Sequence, residues 1–175
     1  MTPSAIPRAI VIYDDDCGFC RWTLAVLLSL DRGAGRGRSS PPRLPGRWGG
    51  PAVLGALRPL PLGTPEADYL LADLAVEERD ASWHLVIDPP GAEQLSFDPP
   101  GPARFSAGAA FAPALRLLPR GRRLAFLVAR TPGLAERGYR WVAGHRGPLG
   151  RLVRGRARRW ADQVIAAHGG PARSQ

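Results

Sequence analysis

The chain has no lysine and no asparagine, one methionine at its first position, three histidines and two cysteines. All 24 basic residues are therefore arginine, and with 21 glycines and 19 prolines they mark a compositional bias. That bias weakens any functional meaning of arginine abundance taken alone. The histidines, His84, His145 and His168, never fall at the spacing of about three to five residues that a zinc-binding pair uses. No apolar run approaches the roughly 18 residues of a membrane span; the leucine-rich run Leu24 to Leu28 is bounded by Thr23 and Ser29. Met1 to Pro7 lacks the basic start and apolar core of a secretory leader. A soluble, cytoplasmic protein without a transmembrane segment is expected. In that compartment an isolated cysteine pair points to catalysis or metal binding rather than to a structural disulfide.

What is present suits one folded domain. A chain of 175 residues with 45% hydrophobic and 22% charged content can bury a full core. The many glycines and prolines predict long irregular segments, and no segment repeats. The formal charge of +9 is unevenly spread: residues 1–119 carry 11 arginines against 13 acids, whereas residues 120–175 carry 13 against Glu136 and Asp162. Such asymmetry suggests an anionic partner for the last third, be it nucleic acid, anionic lipid or an acidic protein. The plainer reading is a solvated arginine-rich helical face. Arg151, Arg154, Arg156, Arg158 and Arg159 crowd around Trp160, and helical spacing puts Arg151, Arg154 and Arg158 along one side. That face could lie on an anionic membrane surface or meet nucleic acid. No nucleic-acid-binding motif supports the second option.

The chemistry concentrates in residues 9–31. Ala9–Tyr13 is an apolar run that reads as a central strand. Asp14, Asp15 and Asp16 follow, then Cys17-Gly18-Phe19-Cys20 and a hydrophobic stretch that predicts a buried helix over Gly18–Leu30. A Cys-x-x-Cys where strand passes to helix is a usual seat of dithiol chemistry. The unsatisfied N–H groups and the positive end of the helix dipole favour a thiolate at Cys17. Its pKa is therefore expected below the free value of about 8.5. Cys20 falls roughly one turn further on the same face, where it can resolve a mixed disulfide at Cys17. Gly18 keeps the turn narrow, and Phe19 can shield the pair. Arg21 adds positive charge nearby while the three aspartates oppose it, so the sign of the net shift is not readable. Two buried, inert cysteines are the bland alternative. A metal site would need two more ligands beside the sulfurs, with Asp14 or Asp16 as non-standard candidates.

The remaining elements follow from local pattern. Residues 33–51 cannot pack a core and predict a flexible insertion. Ala52–Leu62 reads as a second strand. Thr64-Pro65-Glu66 opens a helix over Glu66–Leu74, with Thr64 as cap and Pro65 at its first position. Trp83–Asp88 reads as a strand that forms a hairpin with Glu93–Phe97, and Pro99–Pro102 as an irregular link. His84 is either an ordinary strand histidine or one that orients a thiolate. Ser106 could cap a helix over Ala107–Leu118, kinked or restarted by Pro113. Helices are also expected over Leu124–Ala129, Leu134–His145 and Leu149 to Ala167, with Tyr139, Trp141 and Val142 as core residues.

Asp14-x-x-Cys17-x-x-Cys20 after a short strand resembles the DCC family of thiol–disulfide oxidoreductase-like proteins. Ser82-Trp83-His84-Leu85-Val86, Ala114 to Pro119, Tyr139 to Ala143 and His145-Arg146 resemble segments at similar order in that family, so the likeness covers about residues 9–150. Asp15 stands where the family commonly has glycine. The resemblance implies an α/β fold: a thioredoxin-like small sheet with flanking helices, here with extra C-terminal helices. The β-α-β-α-β-β-α element order is compatible with it. A DCC-type domain over 9–150 would then precede a basic helical extension over 151–175. The wider thioredoxin group carries a cis-proline before the strand that nears the dithiol, but Asp80-Ala81-Ser82 precedes Trp83 here. The implied activity is protein-disulfide reduction, with Cys17 as nucleophile, Cys20 as resolving thiol and Asp14 setting the turn or accepting a proton. It calls for no organic cofactor and no metal. Its partners would be a disulfide-containing protein or small disulfide and an external thiol reductant. The alternative is a non-catalytic module that binds an anionic surface through Arg151, Arg154 and Arg158. A strand ending in Asp14-x-Asp16 also resembles the start of haloacid-dehalogenase-type phosphotransferases. Gly18 replaces the expected Thr or Val, and the required lysine does not exist in this chain.

Overall fold

Ala9–Tyr13 (β1) sends Ala9, Val11 and Tyr13 into one hydrophobic cluster and Ile10 and Ile12 into another. Only a strand covered on both faces does this. The structure, a computed structural model, describes residues 9–31, 57–87 and 103–171. The expected insertion over 33–51, the start of the second strand, the strand Glu93–Phe97 and the link Pro99–Pro102 lie outside the described residues.

A 14-residue helix, Gly18–Asp31 (α1), follows β1. Its buried residues, Arg21, Leu24, Ala25, Leu28 and Asp31, recur at three- and four-residue intervals and form one stripe. Leu57–Pro61 (β2) pairs parallel to β1 at the sheet edge. Leu62 N–H donates to the Tyr13 carbonyl, so even-numbered residues of this strand point their N–H groups at β1. The odd positions face outward, where Pro59 and Pro61 have no N–H to leave unpaired. Leu57 N–H, the remaining outward donor, is taken by buried Asp31 at 3.1 Å. Among the described residues the sheet ends on this side.

Thr64 caps Pro65–Leu70 (α2) as expected, its Oγ1 accepting from Ala67 N–H at 3.3 Å. The helix is shorter than the pattern predicts and gives way to turns and a short helix, Val76–Ala81 (α3), that the sequence did not announce. Tyr69 is exposed rather than packed, while Leu71 is buried with Ile12 and Leu60. His84–Ile87 (β3) runs antiparallel to β1, and Ala103–Ser106 (β4) pairs antiparallel with β3. The order is β2-β1-β3-β4, a mixed sheet.

Ala107–Ala110 forms a 3-10 turn before Phe111–Leu117 (α4), so Pro113 sits in the first turn of the true helix. Arg122–Arg130 (α5) and Pro132–Gly144 (α6) follow. The single helix expected from Leu149 to Ala167 is two, Arg146–Leu152 (α7) and Arg156–Ala167 (α8). Gly155, with φ of 53°, breaks them apart in a backbone region that glycine tolerates. Trp141 also departs from expectation: it is exposed and stacks on His145 at 4.5 Å instead of entering the core.

The fold is mixed α/β, with a four-stranded sheet and eight α-helices among the described residues. No helix among them is long and apolar enough to cross a membrane. The larger core lies between the sheet and α1, α4 and α8. α8, within the stretch set apart as an extension, supplies Ala161, Val164 and Ile165 to that same core.

One ion-pair cluster locks α8 to α1. Arg21 is only 2% exposed. Its Nε and Nη2 donate to Asp162 Oδ1 on α8 at 2.9 and 2.6 Å, and its Nη1 pairs with Asp15. Removing Arg21 leaves two part-exposed carboxylates without their charge-assisted hydrogen bonds, at a cost of about 1.5–3 kcal/mol. We therefore expect Arg21→Met to lower unfolding free energy by about that amount in urea titrations. Arg58→Met, at the exposed Arg58–Glu66 pair, should cost less than about 1 kcal/mol.

Candidate active site

The strand–helix junction holds the cysteines by local hydrogen bonding. Asp14 Oδ1 accepts from the backbone N–H groups of Asp16 and Cys17 at 2.9 and 3.2 Å, closing a tight turn after β1. Cys17 then occupies the N-cap position of α1. Its carbonyl accepts from Arg21 N–H at 3.0 Å, and its Sγ accepts from Cys20 N–H at 3.2 Å, as a serine hydroxyl would. One helix-end donor, the Cys20 N–H, thus reaches the sulfur at the positive end of the helix dipole, an environment that favours negative charge there. Cys17 and Cys20 are joined as a disulfide with Cα atoms 5.2 Å apart, and both residues are part-exposed.

The three aspartates have separate tasks. Asp14 sets the turn, and its Oδ2 lies 3.8 Å from Arg146 Nη1 at the start of α7. Asp15 accepts from the Tyr13 hydroxyl at 2.9 Å and pairs with Arg21, so its charge is compensated beneath the helix. Asp16 is exposed. The expected opposition between aspartates and thiolate is thereby reduced to one capping carboxylate and one at the surface.

Two clefts meet at the disulfide. On the Cys20 side an apolar cleft of about 510 Å³ is walled by Phe19, Trp83, Leu115, Leu134 and Tyr139. That volume is within the range of small-molecule sites. Trp83, Phe111 and Tyr139, all in its lining, pack in sequence at 5.3 and 6.3 Å, the first pair tilted and the second edge to face. Burial raises the Tyr139 pKa above 10.0, which keeps its hydroxyl neutral. On the Cys17 side a second cleft of about 550 Å³ is lined by Arg146, Arg151, Arg154 and Arg158 as well as Asp14 and Asp16. Asp14 and Arg146 border both clefts.

Arg151, Arg154 and Arg158 therefore do come together, though not along one helix. They belong to α7, the break and α8, and it is the turn at Gly155 that gathers them. Sequence reasoning missed Arg146 and the walls of the apolar cleft, because α4, α6 and the strand start carrying them reach Cys20 only through packing. No local periodicity marks such a meeting.

His84 has no part in the dithiol site. Its ring lies buried between Ser106 Oγ, 2.7 Å from Nδ1, and the Arg79 carbonyl, 3.0 Å from Nε2. A carbonyl can only accept, so Nε2 carries the proton and Nδ1 takes the serine hydroxyl, which satisfies the neutral ring. Ser106 accordingly makes no side-chain cap to the following turn. No cis peptide occurs among the described residues, and Ser82 before Trp83 is extended. The donor atoms of Asp14, Cys17 and Cys20 lie within 4.8 Å of one another. The sulfurs are committed to each other in the disulfide, and a zinc set would need a fourth ligand.

Burial, aided by the charge of Arg104 and opposed by the Arg79 carbonyl, lowers the His84 pKa from 6.5. The unfolded chain therefore binds this proton more readily, and His84 contributes stability above pH 6.5 that is lost as pH falls toward the folded value. Urea midpoints measured between pH 7 and pH 5 should fall more steeply for the native chain than for His84→Gln.

Comparison with protein-family models, with curated proteins and with solved structures gives no match to this chain.

Proposed function

We propose that this chain is a thiol–disulfide oxidoreductase of the DCC type with a thioredoxin-like architecture. The observation that carries the reading is a part-exposed Cys17–Cys20 pair, bonded to each other at the first turn of α1 and opening onto two clefts. Buried inert cysteines would have neither access nor a helix end directed at one sulfur. The element order β1-α1-β2-α2-α3-β3-β4-α4, with further helices after it, supports the architectural half of the proposal. The resembling segments also meet in space: Trp83, Leu115, Tyr139 and Arg146 all border the cleft at Cys20.

In the reduced state Cys17 attacks a partner disulfide as thiolate, and Cys20 resolves the mixed disulfide. Asp14 acts as a positioning residue through the Cys17 backbone N–H. An external thiol reductant restores the pair. With dithiothreitol as reductant, Cys17→Ser should lose disulfide-reductase turnover by at least about 10²-fold, since Cys20 alone cannot close the internal disulfide that releases product. Cys20→Ser should accumulate a mixed disulfide visible as added mass in intact-protein spectrometry. Full turnover by the Cys17 variant rejects the assignment.

A second reading, a non-catalytic module on an anionic surface, draws on the exposure of Leu152 and Trp160 beside Arg151, Arg156 and Arg159. An apolar residue flanked by arginines is suited to a charged interface. Co-sedimentation with vesicles rich in anionic lipid, lost steeply as salt rises, would favour it; no binding at low salt would remove it.

A further inference from the structure

The two clefts differ in chemistry, and among the described residues the disulfide lies between them, Cys20 lining one and Cys17 the other. We propose that the dithiol acts on disulfides with one acidic and one apolar half. This rests on the oxidoreductase reading and specifies its substrate class.

The side of Cys17 is cationic. Five arginines line that cleft against two aspartates, and Arg21 among them is already engaged by Asp15 and Asp162. The remaining four still outnumber Asp14 and Asp16. Guanidinium groups present paired donors that match carboxylate or phosphate oxygens. Arg151, Arg154 and Arg158 are exposed, hence able to reach such an anion without first leaving a buried site. The side of Cys20 offers the opposite. Phe19, Leu24, Leu27, Trp83 and Leu115 give a hydrocarbon and aromatic wall, which gains by covering an apolar group. A substrate held by both halves is oriented with its sulfur–sulfur bond at the junction, where Asp14 and Arg146 belong to both linings.

The reaction balances without a further group. The Cys17 thiolate attacks the substrate sulfur of the acidic half. A Cys17–substrate S–S bond forms, the substrate disulfide breaks, and the apolar thiolate leaves and takes a proton from water. Cys20, losing its proton, attacks Cys17 Sγ. The Cys17–Cys20 bond closes, and the acidic thiol departs protonated. Two electrons have passed from the dithiol to the substrate, and a dithiol reductant such as dithiothreitol returns them.

The test compares mixed disulfides of benzyl mercaptan with end-blocked Glu-Cys-Glu and Gln-Cys-Gln tripeptides. A benzyl disulfide of mercaptosuccinate serves as the small-molecule arm and distinguishes a free acid from a protein segment as the source. We expect kcat/KM for the glutamate probe to exceed that for the glutamine probe by roughly tenfold at low salt, with the gap narrowing as salt screens it. The triple variant Arg151→Gln, Arg154→Gln, Arg158→Gln should bring the ratio to within about twofold, because the attraction it removes is electrostatic. Gly138 lines the apolar cleft, and a Cβ there meets nothing within 4 Å. Gly138→Leu should therefore fill the cleft and raise KM for benzyl probes more than for their methyl counterparts. Equal rates for the glutamate and glutamine probes, or a ratio unmoved by the triple variant, overturn this inference and leave the oxidoreductase reading standing. Absence of turnover with every probe overturns that reading itself.

Discussion

A guanidinium held out of water between two carboxylates is the constraint on which the rest depends. Arg21 sits on the buried stripe of α1, where a leucine would suit the periodicity, and is 2% exposed. A charge there is tolerable only because Asp15 reaches it from the turn after β1 and Asp162 from α8. The cluster joins the segment that carries the cysteines to an element more than a hundred residues later in the chain. It also gives the charge of Asp15 a partner away from the cysteines. With α8 fixed in this way, Ala161, Val164 and Ile165 complete the hydrophobic cluster under α1.

The same anchoring turns an arginine-rich tail into a wall of the site. A free basic helix would spread its charges around solvent. Here α7 and α8 are held against the first helix, and the glycine between them lets the chain change direction. α7 passes near enough to the helix start that a Cβ at Gly150 would lie 3.9 Å from the Phe19 nitrogen, an ordinary contact distance. Positive charge is thereby concentrated beside Cys17, and the wall near Cys20 stays apolar. Four arginines of the C-terminal third, Arg146, Arg151, Arg154 and Arg158, thus gain a common location, which composition cannot supply.

Within the site, backbone donors do most of the positioning. Asp14 holds the turn by accepting two N–H groups, and Cys17 takes the donor that a cap must satisfy. His84 illustrates the contrary case. A histidine on the strand beside β1 invites a proton-relay role, but its two nitrogens are consumed by Ser106 and the Arg79 carbonyl, and burial lowers its pKa. Its place is in the sheet.

The sequence by itself determined β1, α1, the Thr64 cap and the pair of cysteines at a helix start. Each of these is written in neighbours a few residues apart, through two- and four-residue periodicities or capping chemistry. The tertiary structure alone decided which aspartate faces the sulfur, that Arg21 is buried, that the basic helix breaks at Gly155, and that Ser106 serves His84 instead of a helix. Those outcomes depend on partners far away along the chain. Packing can satisfy a buried charge or a ring nitrogen from any direction, and local pattern carries no record of which direction it chose.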